Sequence, residues 1–380
     1  MFEPADDPRI RIRGLGLVDF RNYGALSLPV SSRFVVLHGD NGSGKTNLLE
    51  AVSLLSPGRG LRRAAYGEIA RGGGSGGFSV RARLGQGEAG VEEVLTLVRP
   101  DEGAGSARLV RLDGTQARTV DELLDHLRVV WLTPAMDGLF TGPAGDRRRF
   151  LDRMVLTVDP GHGRRALDYE KAMKGRNRLL ADDRTDDGWL AAIEAQMAEL
   201  GLALALARAD LVARLKGSMA GDDASPFPTA DLTLHSGYEA LELGGAAVDL
   251  EDAVAARLRA RRFLDRAAGR TTEGPHRCDL DVRHREKAMP AALASTGEQK
   301  ALLIGLVVAH ARLVEAASGM APVLLLDEIA AHLDPGRRAA LFDILDRLGV
   351  QSFLTGTDAA LFEALEGRAE MFTVHDGTIA

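Results

Sequence analysis

HGDNGSGKTNLLEAV, residues 38–52, decides how the rest of the sequence is read. Phe34 to Leu37 (FVVL) precede it as an apolar, β-branched run, the pattern of a buried strand. Gly39-Asp40-Asn41-Gly42-Ser43-Gly44-Lys45-Thr46 then fits G-x-x-x-x-G-K-[ST]. Its glycines permit positive φ and close backbone approach, so successive N–H groups can turn inward around an anion. Lys45 is placed to reach the β and γ phosphates of a nucleotide, and the Thr46 hydroxyl to ligate Mg²⁺. Asn47 to Val52 continue as a helix whose positive end faces the phosphates. A glycine-rich turn matching the pattern by accident is the competing reading, and the strand before and helix after it argue against that.

Composition sets outer limits. The 380 residues suffice for one large domain or two. One cysteine, Cys278, excludes an intramolecular disulfide and suits a reducing cytoplasm. The opening MFEPADDPRIRIRG turns from acidic to basic without an apolar run, so no secretory signal is expected. No stretch is expected to have the length of an apolar membrane-spanning helix. A net charge of −7 gives no general attraction to nucleic acid, so DNA binding requires a local patch. Only six of the 47 basic residues are lysine, a bias that lowers the weight of any single arginine cluster.

The chain changes character twice. Residues 1–155 read mostly as strands, with IRIRGLGLV, FSVRARL, EEVLTLV and ARLVRLDG alternating and a turn at Asp113-Gly114. Residues 156–268 read as a compact bundle of short helices, with Leu190, Ile193, Met197, Leu200 and Leu204 forming a seam and Gly269 a stop. Residues 269–380 alternate strand and helix again.

That last third carries two further signals. Pro322 to Leu326 form an apolar strand that delivers Asp327 and Glu328 at its carboxyl end, where open α/β sheets bind ligands. Asp327 is placed to hold the Mg²⁺ that Thr46 touches, and Glu328 to orient or deprotonate a water. Upstream, Ser295-Thr296-Gly297 stands at the start of an apolar helix, either as an ordinary cap or as a second anion site.

The order of phosphate loop, long insertion, Ser-x-Gly, Asp-Glu strand and Ala331-His332-Leu333-Asp334 resembles an ABC-type, SMC-like ATPase head. More closely, LVDFRNYGALSL (17–28), GDNGSGKTNLLEAVSLLSPGRGLR (39–62), RRRFLD (147–152), EGPHRCDL (273–280), STGEQKALLIGLVVAHARL (295–313) and LLLDEIAAHLDPGRRAALFDIL (324–345) are similar to motifs of the RecF family of bacterial DNA repair ATPases. The resemblance implies an α/β fold in which an ABC-type P-loop ATPase lobe is assembled from N- and C-terminal segments around an inserted helical lobe. It implies that Gly39, Asp40, Asn41, Gly42, Ser43, Gly44, Lys45 and Thr46 hold ATP and Mg²⁺, that Asp327 completes the metal site, and that Glu328 and Lys45 support hydrolysis, expected to be slow because the switch histidine and glutamine loop of many ABC ATPases are missing. Ser295, Gly297 and Asp334 would meet the nucleotide of a second copy. ATP would then join a homodimer on double-stranded DNA and single-strand/double-strand gap junctions. RecR and RecO are the implied partners, and RecA loading the implied outcome, in the cytoplasm and without a membrane.

Several positions depart from that pattern. Thr296 and Glu298 replace commoner signature residues, and Cys278 stands where an Asp is common. Thr355 and Thr357 stand where many ABC ATPases carry a switch histidine, and no glutamine follows VVWLT (129–133). Candidate DNA contacts are Arg62, Arg63, Arg147, Arg148 and Arg149, since guanidinium suits phosphate geometry; solvated or internally paired arginines are the alternative. An ATPase subunit of a membrane transporter and another SMC-like ATPase share the sandwich mechanism. A P-loop kinase or GTPase would leave the Ser-x-Gly cap without a task.

Overall fold

The computed structural model describes residues 11–85, 91–100, 107–182, 186–220, 225–238, 241 and 244–379. Most of the opening segment read for a secretory signal lies outside them. The chain begins with β1 (Ile12–Phe20), β2 (Tyr23–Pro29), β3 (Phe34–His38), α1 (Lys45–Ser53) and the single turn α2 (Tyr66–Ile69). There follow β4 (Phe78–Leu84), β5 (Glu93–Val98), β6 (Arg108–Leu112), β7 (Thr115–Gln116) and β8 (Val129–Leu132). The middle holds α3 (Ala144–Leu156), α4 (His162–Ala181), α5 (Asp187–Ala220), β9 (Ala230–His235), α6 (Ala247–Ala260), α7 (Arg262–Ala268), β10 (Asp279–His284) and β11 (Met289–Pro290). The end consists of α8 (Thr296–Ser318), β12 (Val323–Leu326), α9 (Pro335–Leu348), β13 (Ser352–Gly356), β14 (Ala369–His375) and β15 (Thr378–Ile379).

These elements form two compact units. The first comprises the described residues of Met1–Asp137, Ala224–Pro228 and Ser295–Ala380; the second those of Gly138–Asp223 and Thr229–Ala294. The sequence reading put its changes of character at 155 and 268 instead. The difference has a physical cause. Strand β9, inside the stretch read as purely helical, pairs antiparallel with β10 from Asp279↔His235 to His284↔Ala230, and Arg147 of α3 forms an ion pair with Asp279. Pairing across the sequence thus draws α3 and residues 279–290 into the inserted unit.

In the first unit, two six-stranded sheets face a shared core. One has the order β2-β1-β4-β5-β6-β7 and is antiparallel throughout. Its hairpin turn at Asp113-Gly114 has positive φ at both residues, as a two-residue turn matched to strand twist requires. The other has the order β15-β14-β3-β13-β12-β8 and is parallel except at β15. Val35, Val36, Leu37, Leu324 and Leu325 are fully buried, which is why β3 and β12 read as unbroken apolar runs. Gln351 links the sheets: its carboxamide accepts from Ile12 N at 2.8 Å and donates to Ile12 O at 2.9 Å, standing in for a strand partner.

The second unit is a helical body with the small β11-β10-β9 sheet. Its long helix α5 runs 34 residues, where several short helices were expected. Helices α5 and α8 are also long and apolar enough to cross a membrane by length and composition, against the expectation that no stretch would be. Burial accounts for that character in α8, 67% of whose most apolar window lies inside the protein, while 44% of that of α5 does. Gly269 does end α7, in the left-handed conformation that favours glycine.

A buried charge cluster holds the helical body together. Arg176 of α4 is fully buried and donates to Glu194 of α5 at 3.0 Å, Asp265 of α7 at 2.7 Å, the Thr271 hydroxyl at 3.0 Å and Leu258 O at 2.7 Å. Arg262 supplies the second cation to Glu194 at 2.7 Å. Arg176→Ala leaves two buried carboxylates short of their shared cation. We expect it to lower unfolding stability by about 3–5 kcal/mol, read as a fall in the urea midpoint of circular dichroism.

Candidate functional site

The register of the parallel sheet brings three strand ends level. Leu37 of β3 lies opposite Thr355 of β13, and Leu354 opposite Leu326 of β12. The next residue after Leu326 is Asp327, so the phosphate loop, the carboxylate pair and Thr355 emerge at one edge of the sheet.

The loop that follows β3 has the geometry its glycines suggest. Gly39, Gly42 and Gly44 have φ of 143°, 83° and 119°. A Cβ on Gly39 would meet Val374 O at 2.3 Å, and one on Gly44 would meet the Asn22 amide at 2.6 Å. Ser43 N donates to Asp40 O at 3.3 Å. Helix α1 starts at Lys45, two residues before the start read from sequence. Lys45 Nζ folds over the loop, 2.6 Å from Gly39 O and 2.8 Å from Asp40 O, and stands 3.8 Å from Glu328 Oε1. Ser43 Oγ is buried without a protein hydrogen-bond partner.

Thr46 Oγ1 donates to Asp327 Oδ1 at 2.9 Å, so the two residues expected to share a metal are in contact. Asp327 is 4% exposed. Thr355, noted in the sequence only as a departure, adds a second hydroxyl to the same carboxylate oxygen at 2.8 Å and accepts from Glu328 N at 2.9 Å. Glu328 itself has φ of 56°, a strained value for a residue with a side chain. A hydroxyl and a carboxylate are hard oxygen donors suited to Mg²⁺, and the inward glycines and the unsatisfied Ser43 hydroxyl suit phosphate oxygens. The residues present therefore fit Mg-nucleotide.

The turn between β1 and β2 braces this loop, a role the sequence reading left unassigned although it quoted FRNY. Asn22 Nδ2 donates to Ser43 O at 3.0 Å and Tyr23 OH to Gly44 O at 3.1 Å; from the turn between β14 and β15, Gly377 N also donates to Ser43 O at 3.1 Å. Burial pushes the Tyr23 phenol well up, keeping it a donor. Arg21 clamps the buried Glu50 of α1 with bonds of 2.8 and 2.7 Å. No local pattern records this brace, because Arg21 to Tyr23 precede the loop in sequence by most of β2 and β3 and reach it only through the fold; Arg21 has φ of 53°.

The Ser-x-Gly element caps α8. Ser295 Oγ accepts from Glu298 N at 3.4 Å, while the Glu298 carboxylate accepts from Ser295 N at 3.0 Å and from Ser295 Oγ at 2.8 Å. This is a capping box, and it turns the Glu298 charge back onto the cap. Ser295, Thr296 and Gly297 are exposed, and nothing lies within 4 Å of a Cβ built on Gly297. Asp334 is likewise exposed and caps α9 through Arg337 N at 2.9 Å. Where a glutamine loop was sought after β8, the chain makes one 3₁₀ turn at Pro134–Met136, and the next residue, Asp137, pairs with Lys300 at 2.9 Å.

The candidate DNA arginines are divided between the two units, and several point inward. Arg62 donates to Asn47 Oδ1 at 2.6 Å and Glu50 Oε2 at 2.9 Å. Arg63 is exposed and has φ of 58°. Arg147 is bidentate to Asp279, at 2.8 and 2.9 Å, and donates to Gly142 O at 2.6 Å; this pairing holds the Asp279 carboxyl below its usual range. Arg148 donates to Cys278 O at 3.0 Å, and Arg149 pairs with Asp146 on its own helix. Cys278 is buried and its thiol pushed up by that burial; beside it Arg208 is bidentate to Asp152, at 2.8 and 3.0 Å.

Comparison with known proteins agrees with this architecture. The family described as RecF/RecN/SMC N terminal domain matches residues 11–380. The DNA replication and repair protein RecF of Mesorhizobium japonicum is 61% identical over 370 residues, 97% of each chain. That of Rhizobium leguminosarum bv. trifolii is 59% identical over 98% of this chain and 99% of its own, and that of Brucella suis 58% over 98% and 96%. A solved structure of the recombination mediator protein RecF-ATP, in the RecFOR pathway, is similar with a TM-score of 0.81 at 24% identity, over 97% of this chain and 98% of that one. An Smc head domain of Pyrococcus furiosus is similar with a TM-score of 0.53 at 18% identity, over 97% and 95%. The shared fold is thus that of SMC-like ATPase heads, and by sequence the chain belongs to the RecF family.

Proposed function

We propose that the chain is an ATP-dependent DNA-binding protein of replication and recombinational repair, acting as an ATP-gated clamp. The observation that carries this is the contact of Thr46 with Asp327, which assembles one nucleotide site from the two ends of the chain. Gly39 to Thr46 hold ATP, Thr46 and Asp327 hold Mg²⁺, and Lys45 turns from the loop carbonyls to the phosphates. Mg²⁺ supplies charge neutralisation for the phosphates. Glu328 positions or deprotonates the attacking water. Ser295, Gly297 and Asp334, exposed in one copy, meet the ATP of a second, so that ATP binding closes a homodimer and hydrolysis opens it. The relatives named for DNA replication and repair, and the RecF-ATP structure of the RecFOR pathway, support DNA as the target; duplex DNA and gap junctions are the forms that the family resemblance implies. The RecFOR pathway in that structure's name supports RecR and RecO as partners; RecA loading as the outcome and the cytoplasm as the place follow from the family resemblance. A transporter subunit or other SMC-like ATPase fits these relatives less well.

Sedimentation of a labelled gapped duplex with Glu328→Gln protein tests the clamp. A two-subunit complex on DNA that requires Mg-ATP is expected; dimers indifferent to DNA, or an unbound monomer with ATP, would overturn it. Without a switch histidine or glutamine loop, turnover is expected well below the enzyme median of about 10 per second, measured by phosphate release with DNA present. The Glu298 charge opposes the γ-phosphate that approaches Ser295. Glu298→Gln is therefore expected to tighten ATP-driven dimerisation about fivefold, read by analytical ultracentrifugation, with no change in the absence of nucleotide.

A further inference from the structure

The Thr355 hydroxyl is the point through which the Asp327 carboxylate and the main chain of Glu328, the two residues after β12, are tied together. It has one hydrogen, directed at Asp327 Oδ1 at 2.8 Å, and it accepts the Glu328 N–H at 2.9 Å. Its residue is 1% exposed, so water does not replace either bond. The β-branched side chain is stiff at χ1 in a strand, which fixes the direction of the hydroxyl.

Two features show that these bonds do more than fill space. Glu328 keeps φ at 56°, a conformation that persists only where neighbours hold it, and Thr355 accepts the N–H of that strained residue. Asp327 Oδ1 also accepts from Thr46 Oγ1 at 2.9 Å. A threonine oxygen that ligates a cation does so through a lone pair and keeps its hydrogen on Asp327, so Oδ1 is held by two hydroxyls, of which Thr355 is the one outside the phosphate loop.

We propose that Thr355 is a positioning residue for the metal-nucleotide site: beside Thr46 it fixes the Asp327 carboxylate, and it fixes the main chain from which Glu328 projects. Its hydroxyl thereby fills structurally the strand end at which many ABC ATPases carry a histidine, with no titratable group. This rests on the nucleotide reading above. Thr357, two residues on, is exposed, so the neighbouring threonine does not duplicate the tie.

Titration of a fluorescent ATP analogue with and without Mg²⁺ tests this in the wild type, Thr355→Val and Thr355→Ser. Val keeps the shape and removes the hydroxyl; Ser restores the hydroxyl with a freer rotamer. The Val variant is expected to lose about tenfold of the affinity that Mg²⁺ adds, as loss of a hydrogen bond to a charged group implies. Its metal-free affinity should match the wild type, and Ser should regain most of the loss. Equal Mg²⁺ enhancement in wild type and Val would overturn the role while leaving the nucleotide reading intact. So would a Val variant whose metal-free affinity falls as far as its Mg²⁺-supported affinity, the mark of a general packing defect. Absence of Mg²⁺-dependent binding in the wild type would instead overturn the nucleotide reading, and this role with it.

Discussion

A single hydroxyl–carboxylate hydrogen bond, Thr46 to Asp327 at 2.9 Å, spans 281 residues of sequence and fixes where everything else in the ATPase unit must go. Two strands from opposite ends of the chain must finish level for it to form. The parallel register β12-β13-β3 meets that demand by placing one strand between them. Burial on both faces makes the register hard to slip, because a shift of one residue would turn Val36 and Leu325 toward positions shaped for their neighbours. The strained backbone of Glu328 lies next to this bond, at a cost of about 1–3 kcal/mol. Thr355 and the strand pairing around it offset that cost.

The parts legible in the sequence were those written in consecutive residues. The phosphate loop, the apolar strand ending in Asp327-Glu328 and the Ser295 cap each state their geometry within a few positions; the structure has the strands before both sites and the cap, with α1 starting two residues early. Relations across the chain were not legible. Thr355 lies next to Asp327 because of strand register, and no local pattern records which threonine of SFLTGTD points inward. Likewise Glu194 and Arg208 interrupt the apolar seam of α5 as polar residues. They are buried because Arg176, Arg262 and Asp152 answer their charges from other helices. A reading by periodicity breaks such a helix where the structure continues it.

The arginine-rich composition illustrates the same limit from the side of function. A run such as Arg147-Arg148-Arg149 looks like a phosphate-binding face. Arg147 and Arg148 instead hold Asp279 and the Cys278 carbonyl within the inserted unit. Arg62 belongs to a network through Asn47 and Asn22 that ends on the phosphate-loop carbonyl of Ser43. A change at Arg62 thus reaches the nucleotide loop through two amide side chains, whether or not the guanidinium touches DNA. Salt-dependent DNA affinity measured on such a variant would mix the two effects.

The sheet order has a consequence for synthesis. Strand β3 is made early, yet both of its partners, β13 and β14, come from the last thirty residues. At roughly 5–20 residues per second, β3 waits on the order of tens of seconds with two unpaired apolar edges. An unpaired FVVL segment is a template for wrong pairing. The growing chain is therefore expected to need sequestration on or near the ribosome, by a chaperone or by collapse onto the antiparallel sheet. A truncation before residue 352 would leave β3 without either partner and turn this passing exposure into a permanent one.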